Sequence, residues 1–222
     1  MQLFRKAEEM KSLRKNETSP YYNKTRHFYI CSFGGSGSWM LVNYLANFGN
    51  AYHIHSRYPP KYLTYIGNQY TRKPVWEEWF NNTIIDPELV KNYTVIYVYR
   101  NPVHSIHSAF NSVQHLQHIQ SANLRPISEV LKHQKDIYHL EHFFNNYTSP
   151  ESARNYPILA VKYEDFFLNI PEFNESIKIP NIPELYPIEH RKKREYPEYE
   201  EYARIYKSLI DKMDEFSSIQ WV

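Results

Sequence analysis

The amino-acid sequence predicts an α/β fold with three layers, in which a mostly parallel central sheet lies between helices. Apolar, β-branched and aromatic runs at residues 28–33, 95–99 and 158–162 alternate with helical patterns, as in chains that form parallel sheets. Two of these runs lead directly into residues suited to an anion site at the carboxyl end of a strand. The 222 residues are 42% hydrophobic, which is enough for one sizeable core.

The chain divides into a polar N-terminal arm, residues 1–26, and a single α/β domain, residues 27–222. The arm carries one predicted helix around Lys6 to Lys15. Two further helices are predicted from Ile127 to about Phe144 and from Tyr199 to Phe216. The formal net charge is only +2, which gives no reason to expect a nucleic acid as partner.

The first strand breaks into Phe33-Gly34-Gly35-Ser36-Gly37-Ser38 and resumes as a helix. Glycines let backbone N–H groups converge, serines add hydroxyl donors, and the helix directs the positive end of its dipole into the loop. The pattern predicts a P-loop-like anion site, with a simple structural turn as the alternative. Because Gly37 is followed by Ser38-Trp39 and by no lysine, the loop does not indicate an ordinary ATP or GTP hydrolase.

The second motif is a buried strand at residues 95–99 that ends in Arg100-Asn101-Pro102. Proline suits the first turn of a helix, and asparagine can cap it. Arg100 therefore lies at the carboxyl end of a strand, and Ser108 follows it by about two helical turns. A planar guanidinium and a hydroxyl placed in this way can converge on one phosphate, whereas a strand-end arginine paired with a surface carboxylate is the alternative.

These residues resemble the sulfotransferases that use 3′-phosphoadenosine 5′-phosphosulfate, with three motifs in the family's order between about residues 27 and 170. Residues 33–40 match the loop that grips the 5′-phosphosulfate, and Arg100-Asn101-Pro102 with Ser108 matches the pattern that grips the 3′-phosphate. The segment at 158–166 looks like the family's strand ending in Y-E-D, so the resemblance implies that Tyr163 approaches the adenine. It also implies a sulfotransferase-type fold. The nucleotide contacts it implies are Gly35, Ser36, Gly37, Ser38, Trp39, Met40, Arg100, Ser108 and Tyr163.

The chain departs from the family pattern at two loop positions. Gly35 stands where the family has a basic residue that bridges to the transferring sulfonate. Sulfuryl transfer needs charge on the oxygens to be neutralised, so another cation is expected, with Arg57 preferred over Lys24 and Arg26. The family's loop aromatic falls at Met40, whereas here it comes one residue earlier as Trp39, and either can cover the adenine.

Residues 51–60 predict a second short strand that runs into a proline-limited loop. His53 and His55 alternate on one face of that strand, and either is a candidate for the base that takes the acceptor's proton. Ordinary histidines without a catalytic role are the alternative. The segment 58–92, rich in tryptophan and proline, is the expected acceptor-binding lid. A sugar, a phenol or a peptide fits it equally well.

A basic run at 191–194 begins with Arg191 and Lys192. The family holds the 3′-phosphate with a late basic loop, so the resemblance makes these two residues candidates for that task. A solvated stretch that balances nearby glutamates explains the run equally well. His104 and His107, in the helix after Arg100, are expected to be wall or surface residues.

The chain has no apolar run of about 18 residues and begins with a polar segment, so we expect a cytoplasmic protein with no membrane partner. A single cysteine, Cys31, fits a reducing compartment and rules out an internal disulfide. With no paired cysteines and no H-E-x-x-H pattern, no metal site is expected. Asparagine sequons at Asn16, Asn23, Asn81, Asn92, Asn146 and Asn174 are interpreted as a product of the asparagine-rich composition.

The sequence therefore predicts an enzyme, a sulfotransferase that moves a sulfuryl group from 3′-phosphoadenosine 5′-phosphosulfate to a hydroxyl or amine acceptor and releases adenosine 3′,5′-bisphosphate. Magnesium is not required, because protein donors neutralise the oxygens. One alternative is a non-catalytic nucleotide-binding or interaction protein that keeps the fold but lacks transfer because of Gly35. Another is an atypical P-loop kinase.

Overall fold

The computed structural model describes residues 13–54, 56–66, 80–110, 125–149, 154–188 and 196–222. A six-stranded sheet runs through these residues, and its strands are β1 Leu13–Arg14, β2 His27–Ser32, β3 Asn50–Ile54, β6 Tyr93–Tyr99, β7 Ile158–Lys162 and β8 Ile219–Trp221. Their order in the sheet is β1-β3-β2-β6-β7-β8. The four middle strands are parallel, and the two edge strands pair antiparallel to their neighbours.

Two further strands and nine helices complete the described part of the chain. Strands β4 Thr64–Ile66 and β5 Phe80–Ile84 form a separate antiparallel pair. The helices are α1 Ser38–Leu45, α2 Pro87–Val90, α3 Pro102–Phe110, α4 Ser128–His133, α5 Leu140–Thr148, α6 Tyr163–Phe166, α7 Ile170–Ser176, α8 Tyr199–Ile205 and α9 Lys207–Glu215, with a 3₁₀ turn at Pro183–Leu185. None of these helices has the length and apolar character needed to cross a membrane.

Helices cover both faces of the central sheet, so the predicted α/β fold with a mostly parallel sheet is confirmed. Side chains of the sheet alternate between two buried clusters, because successive residues of a strand point to opposite faces. Tyr97 faces a cluster that includes residues of α3, α5 and α9. Ile96 faces a second cluster, to which α1, α6 and α7 contribute. Strands β2 and β6 are buried on both faces, and their sequences are nearly continuous runs of apolar residues.

The prediction of a single helix from residues 127 to 144 is wrong, because the structure has two helices, α4 and α5, with a break between them. Gln134 and His139 adopt left-handed backbone conformations, with φ of 48° and 57°. Asp136 holds the break by accepting the backbone N–H groups of Tyr138 at 3.2 Å and Glu141 at 3.1 Å. Burial raises the pKa of this carboxyl. The apolar spacing continued across the break, and it concealed the interruption.

The ends of the domain also differ from the prediction. The predicted terminal helix is divided into α8 and α9 at Tyr206, and β8 follows it on the edge of the sheet, pairing with β7. At the other edge, β1 pairs with β3 where the arm was expected to be helical, and the rest of that expected helix lies outside the described residues. Strands of three residues or fewer are too short for an alternation of apolar and polar residues to be recognised in the sequence.

The asparagine of one sequon is part of the core. Asn174 is 0% exposed, and it accepts the Tyr44 hydroxyl at 2.9 Å and donates to the Asn181 side chain at 2.7 Å. A glycan cannot be attached to an amide in this position in the folded chain. The Asn174 side chain therefore has a structural role in the core.

We expect Asn174→Ala to lower the free energy of unfolding by about 2 kcal/mol, because it leaves the buried Tyr44 hydroxyl without its acceptor. Urea unfolding followed by circular dichroism measures the difference. Asn23→Ala is the control, since Asn23 is exposed and its side chain bonds to neighbouring Thr25. Equal losses for the two variants would contradict the structural role of Asn174.

Candidate functional site

The loop between β2 and α1 has the geometry that its sequence predicts. Strand β2 ends at Ser32 and α1 begins at Ser38. Three glycines between them have positive φ: Gly34 at 112°, Gly35 at 67° and Gly37 at 82°, the last as the N-cap of α1. These values are open to glycine and costly for other residues. The strand, loop and helix N-terminus are thus confirmed, and the positive end of the α1 dipole points into the loop.

Gly35 lies directly against the backbone of α3. A Cβ at this position would come within 3.0 Å of the Ser105 carbonyl oxygen, 3.1 Å of the Ala109 nitrogen and 3.2 Å of the Ser108 Cβ. The loop as it is folded has no space for any side chain at Gly35. The backbone of α3 therefore favours glycine at position 35, because a side chain there would require the loop or the helix to shift.

The loop serines are engaged within the protein. Ser36 is 2% exposed, and its hydroxyl donates to the Gly34 carbonyl at 3.3 Å and lies 3.4 Å from the Ser105 hydroxyl. Ser38 is 3% exposed, and its hydroxyl lies 2.8 Å from the Ser32 hydroxyl. These hydroxyls hold the loop in shape, so the N–H groups and the helix dipole are the loop's main means of attracting an anion.

Arg100 reaches this loop from the next parallel strand. It follows β6, and because β2 and β6 are parallel their carboxyl ends share one edge of the sheet. Its Nη1 donates to the Gly35 carbonyl at 3.3 Å, and its guanidinium lies 4.9 Å from the centre of the Tyr163 ring. Its side chain is 12% exposed, so it is not a surface arginine.

A carboxylate and a helix cap fix the position of Arg100. Glu164 lies 3.7 Å from Arg100 Nε and accepts the Asn101 backbone N–H at 3.0 Å. Burial raises the pKa of Glu164, and the Asn101 N–H and the Arg100 charge oppose that shift. Asn101 also caps α3, since its side-chain oxygen accepts the N–H groups of Val103 and His104. The predicted cap and the predicted first-turn Pro102 are confirmed.

Tyr163 covers the other end of the loop. A Cβ at Gly37 would fall inside the Tyr163 ring, with Cζ at 3.0 Å and two other ring atoms closer still. Tyr163 is 5% exposed and begins α6 directly after β7. The three motifs of the resemblance therefore meet: Arg100 and Ser108 border Gly35, and Tyr163 borders Gly37.

The loop's two large apolar side chains, Trp39 and Met40, have different surroundings. Trp39 lies with its ring centre 5.1 Å from that of His53, and the Arg14 guanidinium lies 5.0 Å from the Trp39 ring. Met40 packs against the cluster formed by the sheet, α1, α6 and α7. Trp39 thus faces β1 and β3, the edge of the sheet away from β7.

The candidate base residues lie on or after β3. His53 Nε2 lies 2.7 Å from the Ser38 hydroxyl, a contact that sequence spacing did not reveal. His55 is outside the described residues. Arg57 follows β3 at the same edge of the sheet as the loop, and its carbonyl accepts the Asn146 side-chain N–H at 3.1 Å. Its Nε is buried and has no hydrogen-bond partner among the described residues.

The structure places the two alternative cations, Lys24 and Arg26, away from the loop. Both precede β2 and so lie at the amino edge of the sheet, opposite the loop. Arg26 donates to the carbonyls of Ile177 and Lys178, and the Lys24 carbonyl accepts the Asn50 side chain. Among the three cations considered, Arg57 alone is on the side of the loop.

The histidines of α3 pack against aromatic rings. His107 stacks on Tyr196 with ring centres 4.1 Å apart, and His104 lies 5.6 Å from Tyr199. Burial lowers the pKa of both, and the Arg100 charge lowers that of His104 further. Arg191 and Lys192 lie outside the described residues, although Tyr196, which follows their run, is placed beside α3.

A groove opens at the carboxyl ends of β6 and β7, beside Glu164. Its lining includes Pro102, His104, Lys162 and Met213. Ligands of open α/β sheets bind at this edge. Within the described ranges, no cluster of three histidine, cysteine or acidic side chains is arranged to hold a metal ion.

Sequence reasoning missed the contacts that join distant segments. Glu164 could have been found, because it follows Tyr163 at the end of a strand parallel to that of Arg100. The Ser38–His53 contact had no local signal, because Ser38 begins the helix after β2 and His53 lies within the neighbouring strand β3. No protein-family model, no curated protein and no solved structure matches this chain.

Proposed function

We propose that the protein transfers a sulfuryl group from 3′-phosphoadenosine 5′-phosphosulfate to a hydroxyl or amine acceptor. The observation that carries this proposal is the convergence of three separate segments on one glycine loop. Arg100 and Ser108 border Gly35, and Tyr163 borders Gly37. The buried Arg100 guanidinium, which donates to the loop carbonyl of Gly35, brings a positive charge to the loop from the neighbouring strand.

Each group has a chemical role in the proposed reaction. The loop N–H groups and the α1 dipole bind the 5′-phosphosulfate. Arg100 exchanges its contact with the Gly35 carbonyl for the 3′-phosphate, with Ser108 as second donor. The ring edge of Tyr163 meets the adenine. The contacts of Arg100 and Ser108 with the loop at Gly35 support their assignment to the same phosphate.

The transfer step balances without a metal. The acceptor oxygen or nitrogen forms a bond to sulfur while the bond from sulfur to the bridging phosphate oxygen breaks. The acceptor's proton goes to a base, for which His55 is the candidate, and adenosine 3′,5′-bisphosphate leaves. Arg57 supplies the missing charge in this scheme, because its buried Nε has no hydrogen-bond partner among the described residues.

One observation favours a second function, nucleotide binding without transfer. The α3 backbone excludes a basic side chain at Gly35, so the loop itself supplies no cation to the sulfonate oxygens. If Arg57 does not reach them, the protein binds the nucleotide and does not turn it over.

Calorimetric titration of adenosine 3′,5′-bisphosphate against 5′-AMP tests the donor site. We expect micromolar binding of the bisphosphate and at least about 30-fold weaker binding of 5′-AMP, because only the bisphosphate engages Arg100 and Ser108. Arg100→Ala should weaken bisphosphate binding by about 100-fold. Arg204→Ala, an exposed arginine on α8, is the matched control and should bind as wild type.

Equal binding of the two nucleotides would rule out the proposed donor site. Bisphosphate selectivity followed by failure to sulfate phenols, sugars and peptides would assign the binding function without transfer. Thermal melting of each variant separates loss of the site from loss of the fold.

A further inference from the structure

Three side chains form a hydrogen-bonded chain beneath the anion loop. The Ser38 hydroxyl lies 2.8 Å from the Ser32 hydroxyl and 2.7 Å from His53 Nε2. Ser32 is 0% exposed and Ser38 is 3% exposed. A buried chain of this kind is costly to leave incomplete, because a buried hydroxyl that loses a hydrogen bond does not regain it from water.

The chain connects the three elements that define the loop. Ser32 is the last residue of β2, Ser38 is the first of α1, and His53 belongs to β3, which pairs in parallel with β2. The five residues between Ser32 and Ser38 include three glycines, which have the most backbone freedom to lose. A link across both ends of this segment restricts the glycines to the conformation that binds an anion.

One ring nitrogen of His53 is already engaged within the protein. A base must bring a nitrogen to the acceptor's proton. The Nε2 of His53 is instead used on a buried hydroxyl, and the Trp39 ring lies 5.1 Å from the imidazole. The contact holds in either proton arrangement, since Nε2 can accept from Ser38 or donate to it.

We propose that His53 is a positioning residue that acts through Ser38 to hold the loop in its anion-binding shape, and that it does not take the acceptor's proton. This inference rests on the proposed function only in treating the loop as an anion site. Loss of His53 then weakens anion binding and leaves the chemistry of the acceptor unchanged.

A double-mutant cycle with inorganic pyrophosphate as the calorimetric probe tests this role. We expect His53→Ala to weaken pyrophosphate binding by about tenfold, the effect of one lost hydrogen bond to a preorganised site, and Ser38→Ala by at least as much, because it also removes the contact with Ser32. The double variant should bind no more weakly than Ser38→Ala alone, because that substitution already breaks the link to His53. His53→Gln, whose amide can reach the Ser38 hydroxyl, should remain within about threefold of wild type. His133→Ala, a partly exposed histidine on α4, is the control.

Additive effects of the two substitutions would overturn the inference, as would wild-type affinity in His53→Ala or no pyrophosphate binding by wild type. In an active preparation, a further fall in kcat on adding His53→Ala to Ser38→Ala at saturating donor would assign His53 as the base and overturn it too. The proposed donor function fails separately, through equal binding of adenosine 3′,5′-bisphosphate and 5′-AMP. Pyrophosphate can still bind in that case.

Discussion

A Gly35→Lys variant should be less stable than wild type by about 3 kcal/mol or more, although it places a basic residue where the sulfotransferases have one. The new side chain would need a φ near 67° and a Cβ within 3.0 Å of the Ser105 carbonyl oxygen. That oxygen and the Ala109 nitrogen belong to the α3 backbone and cannot swing aside. The variant should also bind the bisphosphate more weakly, because the loop must deform to admit the lysine.

Gly34→Lys is the matched control for this prediction. Gly34 has a φ of 112° and no atom within 4 Å of an added Cβ, so the substitution adds backbone strain without a clash. We expect a loss of about 1 to 2 kcal/mol. Urea unfolding of both variants measures the difference. Wild-type stability in Gly35→Lys, or equal losses in the two variants, would show that α3 does not set the identity of residue 35.

Gly37→Ala should cost about 3 kcal/mol of folding stability, because its Cβ would overlap the Tyr163 ring and its φ of 82° is strained for alanine. The ring has little room to move, since Arg100 lies over it and it is 5% exposed. Equilibrium unfolding in urea gives the size of the loss.

A Tyr163→Ala background separates the two causes of the stability loss in Gly37→Ala, which are the overlap with the ring and the strained backbone. Without the ring, Gly37→Ala should cost only about 1 kcal/mol, the strain that remains in the backbone. The cycle therefore predicts a coupling of about 2 kcal/mol between positions 37 and 163. Additive losses would mean that Tyr163 does not bear on the loop.

The elements that could be predicted were those whose apolar residues and flanking turn residues form long local patterns in the sequence. Strand β7 at Ile158–Lys162 has the predicted bounds, and the glycine loop begins and ends where the sequence indicates. A buried strand with turn residues at its ends needs no information from the rest of the chain. The short edge strands β1 and β8 depend on their neighbours in the sheet and were missed.

The candidate site was predictable by residue type and less so by geometry. Arg100 was expected at a strand end near the loop, and it lies there. The reason for glycine at position 35 was not predictable, because the Ser105 carbonyl belongs to a helix 70 residues further along. The helix break at Gln134 was missed because Asp136 stabilises it by accepting backbone N–H groups, an interaction that does not interrupt the apolar spacing.

The close contact of Gly35 with α3 bears on the length of ligand that the proposed site accepts. Because the loop rests on the backbone of the helix that carries Ser108, the two cannot move independently. The groups proposed to bind the two phosphate-bearing ends of the donor, the loop N–H groups and Ser108, would thus be held at one separation before a ligand binds. A nucleotide with a different spacing between these ends would leave one of the two groups unoccupied. Discrimination between ligands by length would then come from the packing of two elements beneath the proposed site rather than from a side chain that contacts the ligand.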